Sequence, residues 1–193
     1  HRLLHRGRMP IDLIPFGGVE AVDGTITWPV DESVMGVLEF REALATATEL
    51  TLPESQRVLT VSLSMLAILK LLAWSERHVA APRKDAVDLF LILKNYLNQD
   101  NTTRLYEEAA HLLVVDDFDY EAAGGWLAGH DAANQIRARS ADPERLLTAC
   151  QNILVIEADP NGRLQLVAES EVDVAAGIRL LQSFLEGMRA NLA

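Results

Sequence analysis

From residue 62 onward, hydrophobic residues recur at steps of three and four positions. This spacing places them on one face of an α-helix and is typical of amphipathic helices in folded proteins. Candidate capping residues stand near several starts, namely Ser64, Asn101 and Asp142, and Pro143 suits a first helical turn. The pattern predicts six helices, over residues 64–77, 84–98, 102–114, 120–138, 143–156 and 172–192.

The first sixty residues carry strand signals instead. Residues 9–16 are β-like and end at a pair of glycines. The dipeptide Asp23-Gly24 accepts positive φ in tight turns, so it predicts a hairpin that turns there. Residues 38–47 have helical spacing and composition, and residues 57–61 are predicted to hold a short strand.

A second hairpin is predicted near the C-terminal end, within residues 155–167 and centred on Asn161-Gly162. Strands concentrated early and helices concentrated late are typical of an α+β protein. We therefore expect a small α/β portion over residues 1–98 and a helical C-terminal domain over residues 99–193.

The composition argues against several classes of binding partner and environment. The 193 residues contain 17 Lys and Arg against 28 Asp and Glu, a formal net charge of −11, which argues against a broad nucleic-acid surface. Cys150 is the single cysteine, which excludes an internal disulfide and is typical of the reducing cytoplasm. The apolar run over residues 65–74 is interrupted by Lys70 and is much shorter than the roughly 20 residues that span a bilayer, so no membrane span is expected.

One carboxylate, Asp12, lies between Ile11 and Leu13 in the first predicted strand. Burying an ionised carboxylate is costly unless it has a partner or a metal. Two interpretations remain open at this point. The strand is either an edge strand with a solvated carboxylate, or the carboxylate binds a charged ligand.

A second candidate site spans the predicted helices over residues 64–77 and 84–98. Lys70 is the single charge in an apolar decapeptide and shares a helical face with Arg77, while Lys84, Asp85 and Asp88 begin the next helix. Cations held in place by carboxylates suit an anionic ligand such as a triphosphate. The alternative is a purely structural arrangement, in which Lys70 extends to solvent and Asp85 complements the helix dipole.

The stretch "GGWLAGHD" over residues 124–131 holds three glycines within a predicted helix. Each glycine weakens a helix by roughly 1 kcal/mol relative to alanine, so their presence needs a reason. Close packing of another helix and contact with a ligand are both consistent with this composition.

Three motifs in order, "PIDLIPFGGVE", "LKLLAWSER" and "RKDAVDL", resemble the predicted bacterial nucleotidyltransferases related to the AbiEii toxin family. The resemblance covers residues 9–96 and is extended more weakly by "WLAGHD". It implies a nucleotidyltransferase-like head with a small mixed sheet. In that family a Gly-Ser turn and an Asp-x-Asp pair precede a third carboxylate, and Asp12 matches this third position.

The resemblance also implies an activity, which is transfer of a nucleotide from an NTP to an acceptor hydroxyl on RNA or protein, with Mg²⁺. Asp12 would then be catalytic and a metal ligand, since Mg²⁺ prefers carboxylate oxygens. Lys70 matches the lysine that contacts the phosphates, and Lys84, Asp85 and Asp88 match the next nucleotide-binding motif, with Arg77 a looser counterpart. A toxin role beside an antitoxin partner is implied as well.

The chain departs from the family pattern before Asp12, where "HRLLHRGRMP" contains neither the Gly-Ser turn nor the Asp-x-Asp pair. Because the sequence begins with His1 and not with Met, we expect that an N-terminal part of the head is missing from it. The alternative function is a catalytically inactive remnant of the fold that acts as a binding or interaction module through the helical body.

Overall fold

Helices dominate the structure, a computed structural model that describes residues 2–4, 7, 10–37, 39–77, 79, 83–114 and 117–190. Two short 3-10 segments, Pro53–Ser55 and Ala110–Val114, accompany the α-helices. The α-helices are α1 (Phe40–Ala45), α2 (Leu63–Arg77), α3 (Lys84–Asn95), α4 (Thr102–Glu107), α5 (Tyr120–Arg139), α6 (Pro143–Glu157), α7 (Gln165–Glu169) and α8 (Val174–Arg189).

In the part of the chain that the structure describes, the strands form three separate antiparallel pairs, β1 with β2, β3 with β4 and β5 with β6. The predicted α+β class is therefore confirmed, whereas a mixed sheet is not found among the residues that the structure describes. The strand bounds are β1 (Arg2–Leu4), β2 (Pro10–Asp12), β3 (Thr25–Thr27), β4 (Val34–Gly36), β5 (Thr48–Thr51) and β6 (Arg57–Thr60).

The predicted helices are found with small shifts at their ends, because their hydrophobic periodicity is a local property of the chain. Asp142 caps α6 as expected, its side chain accepting a hydrogen bond from the Arg145 backbone N–H. The predicted helix over residues 102–114 is divided, with α4 ending at Glu107 and a 3-10 turn following. His1, Met9 and Leu192, which figure in the sequence predictions, lie outside the described residues.

The first predicted hairpin is wrong in position, and the second is not formed, since helices lie on both sides of its predicted turn. The Asp23 carboxylate accepts hydrogen bonds from the Thr25 N–H and hydroxyl, and Gly24 has φ +81°, so this dipeptide bends the chain immediately before β3. The strand that pairs with β3 is the downstream β4. Asn161 and Gly162 form a turn between α6 and α7, because the flanking residues are helical.

The chain divides into two compact units, His1–Arg41 and Glu42–Ala193. The predicted division between residues 98 and 99 lies at a different place in the chain and stays a prediction. Within the second unit, α2 and α3 pack against each other, and both pack against α5. The helices that carry the predicted cations thus belong to one folded body with the rest of the helical residues.

The centre of the second unit is the crossing of α5 and α8. A Cβ atom added at Gly129 would lie 2.0 Å from the Phe184 carbonyl oxygen, and one at Gly187 would lie 1.9 Å from that of Trp126. The glycines therefore let two backbones approach more closely than any side chain would allow. Of the two interpretations of the glycine-rich stretch, the structure supports close helix packing.

Candidate functional site

The pairing of α2 with α3 brings four of the predicted site residues into contact. Lys70 lies on α2, and its Nζ donates to Asp85 Oδ1 at 3.2 Å and to Asp88 Oδ2 at 2.5 Å. Arg77 lies two turns further along α2 and donates to Asp85 through Nε at 2.8 Å and Nη2 at 3.0 Å. We call Lys70, Arg77, Asp85 and Asp88 the α2–α3 charge cluster.

Asp85 is the buried centre of this cluster, with a side chain only 2% exposed. Burial raises the pKa of the Asp85 carboxyl, but the hydrogen bonds and charges of Arg77 and Lys70 outweigh burial and hold the pKa below its usual value. The carboxylate therefore stays ionised and fixes both cations on one side of the helix pair. A buried charge with several donors is costly to disturb, since removing one partner leaves the others unpaired.

The cations of the cluster retain access to solvent. The Lys70 side chain is 20% exposed, and that of Arg77 is about half exposed. Lys84 is exposed at the first residue of α3, and the neighbouring Arg83 forms an ion pair with Glu171. An anion approaching this face would meet two cations whose positions are set by Asp85, together with the partly exposed Asp88 carboxylate.

Asp12 lies in the other compact unit, on β2 and opposite Arg2 in the strand register. Its two carboxylate oxygens accept hydrogen bonds from Arg2 Nε at 2.7 Å and Nη2 at 2.9 Å, and its side chain is 48% exposed. Strand β2 is exposed along its length. The structure thus places Asp12 as a partly solvated carboxylate on an exposed strand, with an arginine partner.

The surroundings of Asp12 do not by themselves fit a Mg²⁺ ion. Mg²⁺ takes six oxygen ligands in near-octahedral geometry, whereas both Asp12 oxygens face a guanidinium group. Asp12 also lines a cavity of about 660 Å³, and the other described residues of its lining, such as Leu13, Ile26 and Trp28, include no second carboxylate. The metal-binding and catalytic assignments of Asp12 therefore stay predictions from the resemblance.

A second polar cluster joins α3, α4 and α5, and sequence reasoning did not find it. Arg104 on α4 donates from both terminal nitrogens to the Asp131 carboxylate at 2.8 and 2.7 Å, and it binds Glu108 through two further bonds of 2.7 Å. The buried Tyr96 hydroxyl donates to Asp131 at 2.5 Å. These pairings raise the pKa of Arg104 and lower that of Glu108.

His130 borders this second cluster and stacks on Trp126, with ring centroids 5.0 Å apart and planes inclined by 13°. Ligand atoms of Glu108, His130 and Asp131 lie within 4.8 Å of one another, a spacing that could hold a metal ion. The Arg104 guanidinium already binds both carboxylates, however, so the arrangement is an ion-pair network. The one sequence signal for it was "GHD" in the glycine-rich stretch, since nothing marked Arg104.

Comparison of the chain with known protein families, with curated proteins and with solved structures finds no match. None of the helices in the described part of the chain combines the length and apolar character that crossing a membrane requires. The class of the protein is defined by its own fold and site, which are those of an α+β protein with a helical body and a charged helix pair.

Proposed function

We propose that this protein is a nucleotidyltransferase that binds the polyphosphate of an NTP at the α2–α3 charge cluster. The observation that carries the proposal is the bonding of both Lys70 and Arg77 to one buried carboxylate, Asp85. These are residues that the resemblance assigns to nucleotide binding. Mg²⁺ would arrive as the metal complex of the NTP, and the acceptor would be a hydroxyl group on RNA or protein.

Physical chemistry favours phosphate as the ligand of such a cluster. Charge-assisted hydrogen bonds from lysine and arginine to phosphate are stronger than neutral ones, and fixed donors lose less entropy when the ligand binds. Asp85 supplies this fixation for Lys70 and Arg77. A toxin role with an antitoxin partner in the bacterial cytoplasm follows from the resemblance and belongs to the same proposal.

Calorimetric titration with each of the four NTPs in the presence of Mg²⁺ tests the proposal. We expect the wild-type protein to bind at least one NTP, and Lys70→Ala to weaken that binding by about tenfold or more, the effect of losing a charged hydrogen bond. Lys94→Ala is the matched control, because Lys94 is a partly exposed lysine on the same helix pair whose partner is Glu121. Absence of binding for every NTP, or equal binding by Lys70→Ala, would overturn the proposal.

The pairing of Asp12 with Arg2 favours a second candidate, which is a catalytically inactive module that binds nucleotide without transferring it. Incubation with α-³²P-labelled NTP and total bacterial RNA or protein separates the two candidates. Label that becomes covalently attached to an acceptor supports the transferase. Nucleotide binding that depends on Lys70, without any transfer of label, supports the module.

A further inference from the structure

Lys70 lies between two carboxylates with different environments. Asp85 is 2% exposed, whereas Asp88, one turn further along α3, is 38% exposed. The bond to the exposed carboxylate is the shorter of the two, at 2.5 Å against 3.2 Å. Solvent therefore reaches Lys70 on the side where Asp88 lies.

The two carboxylates also differ in how firmly they are held. Asp85 has two bonds from Arg77 in addition to that from Lys70, so it keeps its position whether or not Lys70 changes partner. Among the side chains that the structure describes, Asp88 bonds to Lys70 alone. A partly exposed ion pair of this kind contributes little free energy, so exchanging its anion costs little.

We infer that Asp88 is a resident competitor for the anion site on Lys70, and that an incoming phosphate must displace its carboxylate. This inference rests on the proposed function, because it concerns the same cluster. Lys70 Nζ has three N–H groups and donates two of them to Asp85 and Asp88, so a phosphate that replaces Asp88 gains the donor on the more exposed side. A phosphate and the Asp88 carboxylate carry like charges, which repel each other when both lie against the same ammonium group. Asp85 is the positioning residue, and Asp88 sets the affinity that the site reaches.

The inference predicts a gain of affinity from the loss of a carboxylate. Asp88→Asn removes one negative charge while keeping the size of the side chain, so Mg·ATP should bind about fivefold more tightly, the change expected from removing one partly exposed charge. Because the α2–α3 charge cluster then has two cations and one carboxylate, where the wild type has two of each, its affinity for the anion should also fall more steeply with added salt. Asp85→Asn should weaken binding, since Lys70 and Arg77 lose their shared anchor.

The experiment is calorimetry with Mg·ATP at two salt concentrations on the wild-type protein, Asp88→Asn and Asp88→Ser. Glu107→Gln is the control, because it removes the same charge from an exposed position on α4. Thermal unfolding verifies that each variant is folded. Two different substitutions at position 88 are used so that the test still stands if one of them fails to fold.

The possible results distinguish a failure of the inference about Asp88 from a failure of the proposed function. Tighter binding by both Asp88 variants than by the wild type, with unchanged binding by Glu107→Gln, supports the inference. If the wild type binds and the Asp88 variants bind equally or more weakly, the inference is wrong and the proposed function stands. If no protein binds Mg·ATP or another NTP, the proposed function fails and the inference fails with it.

Discussion

His130 is a buried titratable side chain beside the second polar cluster. Its ring is buried against Trp126, and this burial lowers its pKa, although the nearby Asp131 and Glu108 carboxylates act in the opposite direction. Arg104 and Arg137 add to the lowering. The folded protein therefore favours the neutral ring, whereas the unfolded chain titrates near pH 6.5.

This difference predicts a loss of stability in mild acid. Between pH 7.5 and 5.5 the unfolded chain takes up a proton at His130 more readily than the folded protein, so the free energy of unfolding falls as the pH passes below 6.5. Urea denaturation should show that the free energy of unfolding falls more over this range for the wild type than for His130→Phe, which keeps an aromatic ring on Trp126 but cannot titrate. Equal losses for the two proteins would show that His130 does not couple folding to pH.

At the scale of elements, the contact of α5 with α8 determines how the helical unit packs. The backbone of Gly129 faces the Phe184 carbonyl, and that of Gly187 faces the Trp126 carbonyl. A methyl group has no room there, and backbone atoms cannot rotate away as a flexible side chain can. The two helices must therefore separate if either glycine is replaced.

Gly129→Ala should consequently destabilise the protein by about 3 kcal/mol, the upper part of the range for overpacking. A loss of stability would be informative, because alanine is intrinsically the better helix former by roughly 1 kcal/mol and would stabilise a helix that had room for its methyl group. Gly124→Ala is the matched control on the same helix, where the added Cβ would lie 3.3 Å from the Leu93 carbonyl oxygen and the effect should be much smaller. Thermal unfolding of both variants measures the difference, and similar melting temperatures would contradict this account of the crossing.

At the scale of the whole molecule, the two compact units differ in how much hydrophobic surface they bury. The second unit contains most of the buried hydrophobic side chains, including those of α2, α3, α5 and α8. In the described part of the first unit, the buried hydrophobic residues are Ile26 and Val37, while Leu4 and Val22 are largely exposed. Short, two-stranded sheets gain little stability on their own.

We therefore expect the two units to open with different free energies. In hydrogen–deuterium exchange at neutral pH, the backbone amides of α5 and α8 should exchange most slowly, since their opening requires the core of the second unit to unfold. Amides of β1 to β4 should exchange faster by orders of magnitude, because few buried contacts oppose their opening. Equal protection of the strands and of α5 would contradict this interpretation.

Features that depend on residues close together in the chain were predictable from the sequence, whereas features that depend on distant contacts were not. Helix positions were predictable because the residues that define a hydrophobic face lie three and four positions apart in the chain. The two hairpins were not, because Asp-Gly and Asn-Gly fit several kinds of turn, and the partner of a strand is decided by packing elsewhere. Asp12 shows the same limit, since its neighbours in sequence did not reveal that Arg2 lies opposite it.

By itself, the sequence determined the helical body, the α+β class and the charged helix pair, because these depend on local periodicity and on two helices that lie close together in the sequence. Only the tertiary structure decided that Arg104 meets Asp131 across 27 positions of sequence, and that Gly129 meets Phe184 on another helix. Such contacts join residues that are distant in the chain, and no local pattern specifies which distant surfaces pack together. The same packing leaves Asp85 buried and Asp88 exposed, a difference that their equal charge and close spacing did not reveal.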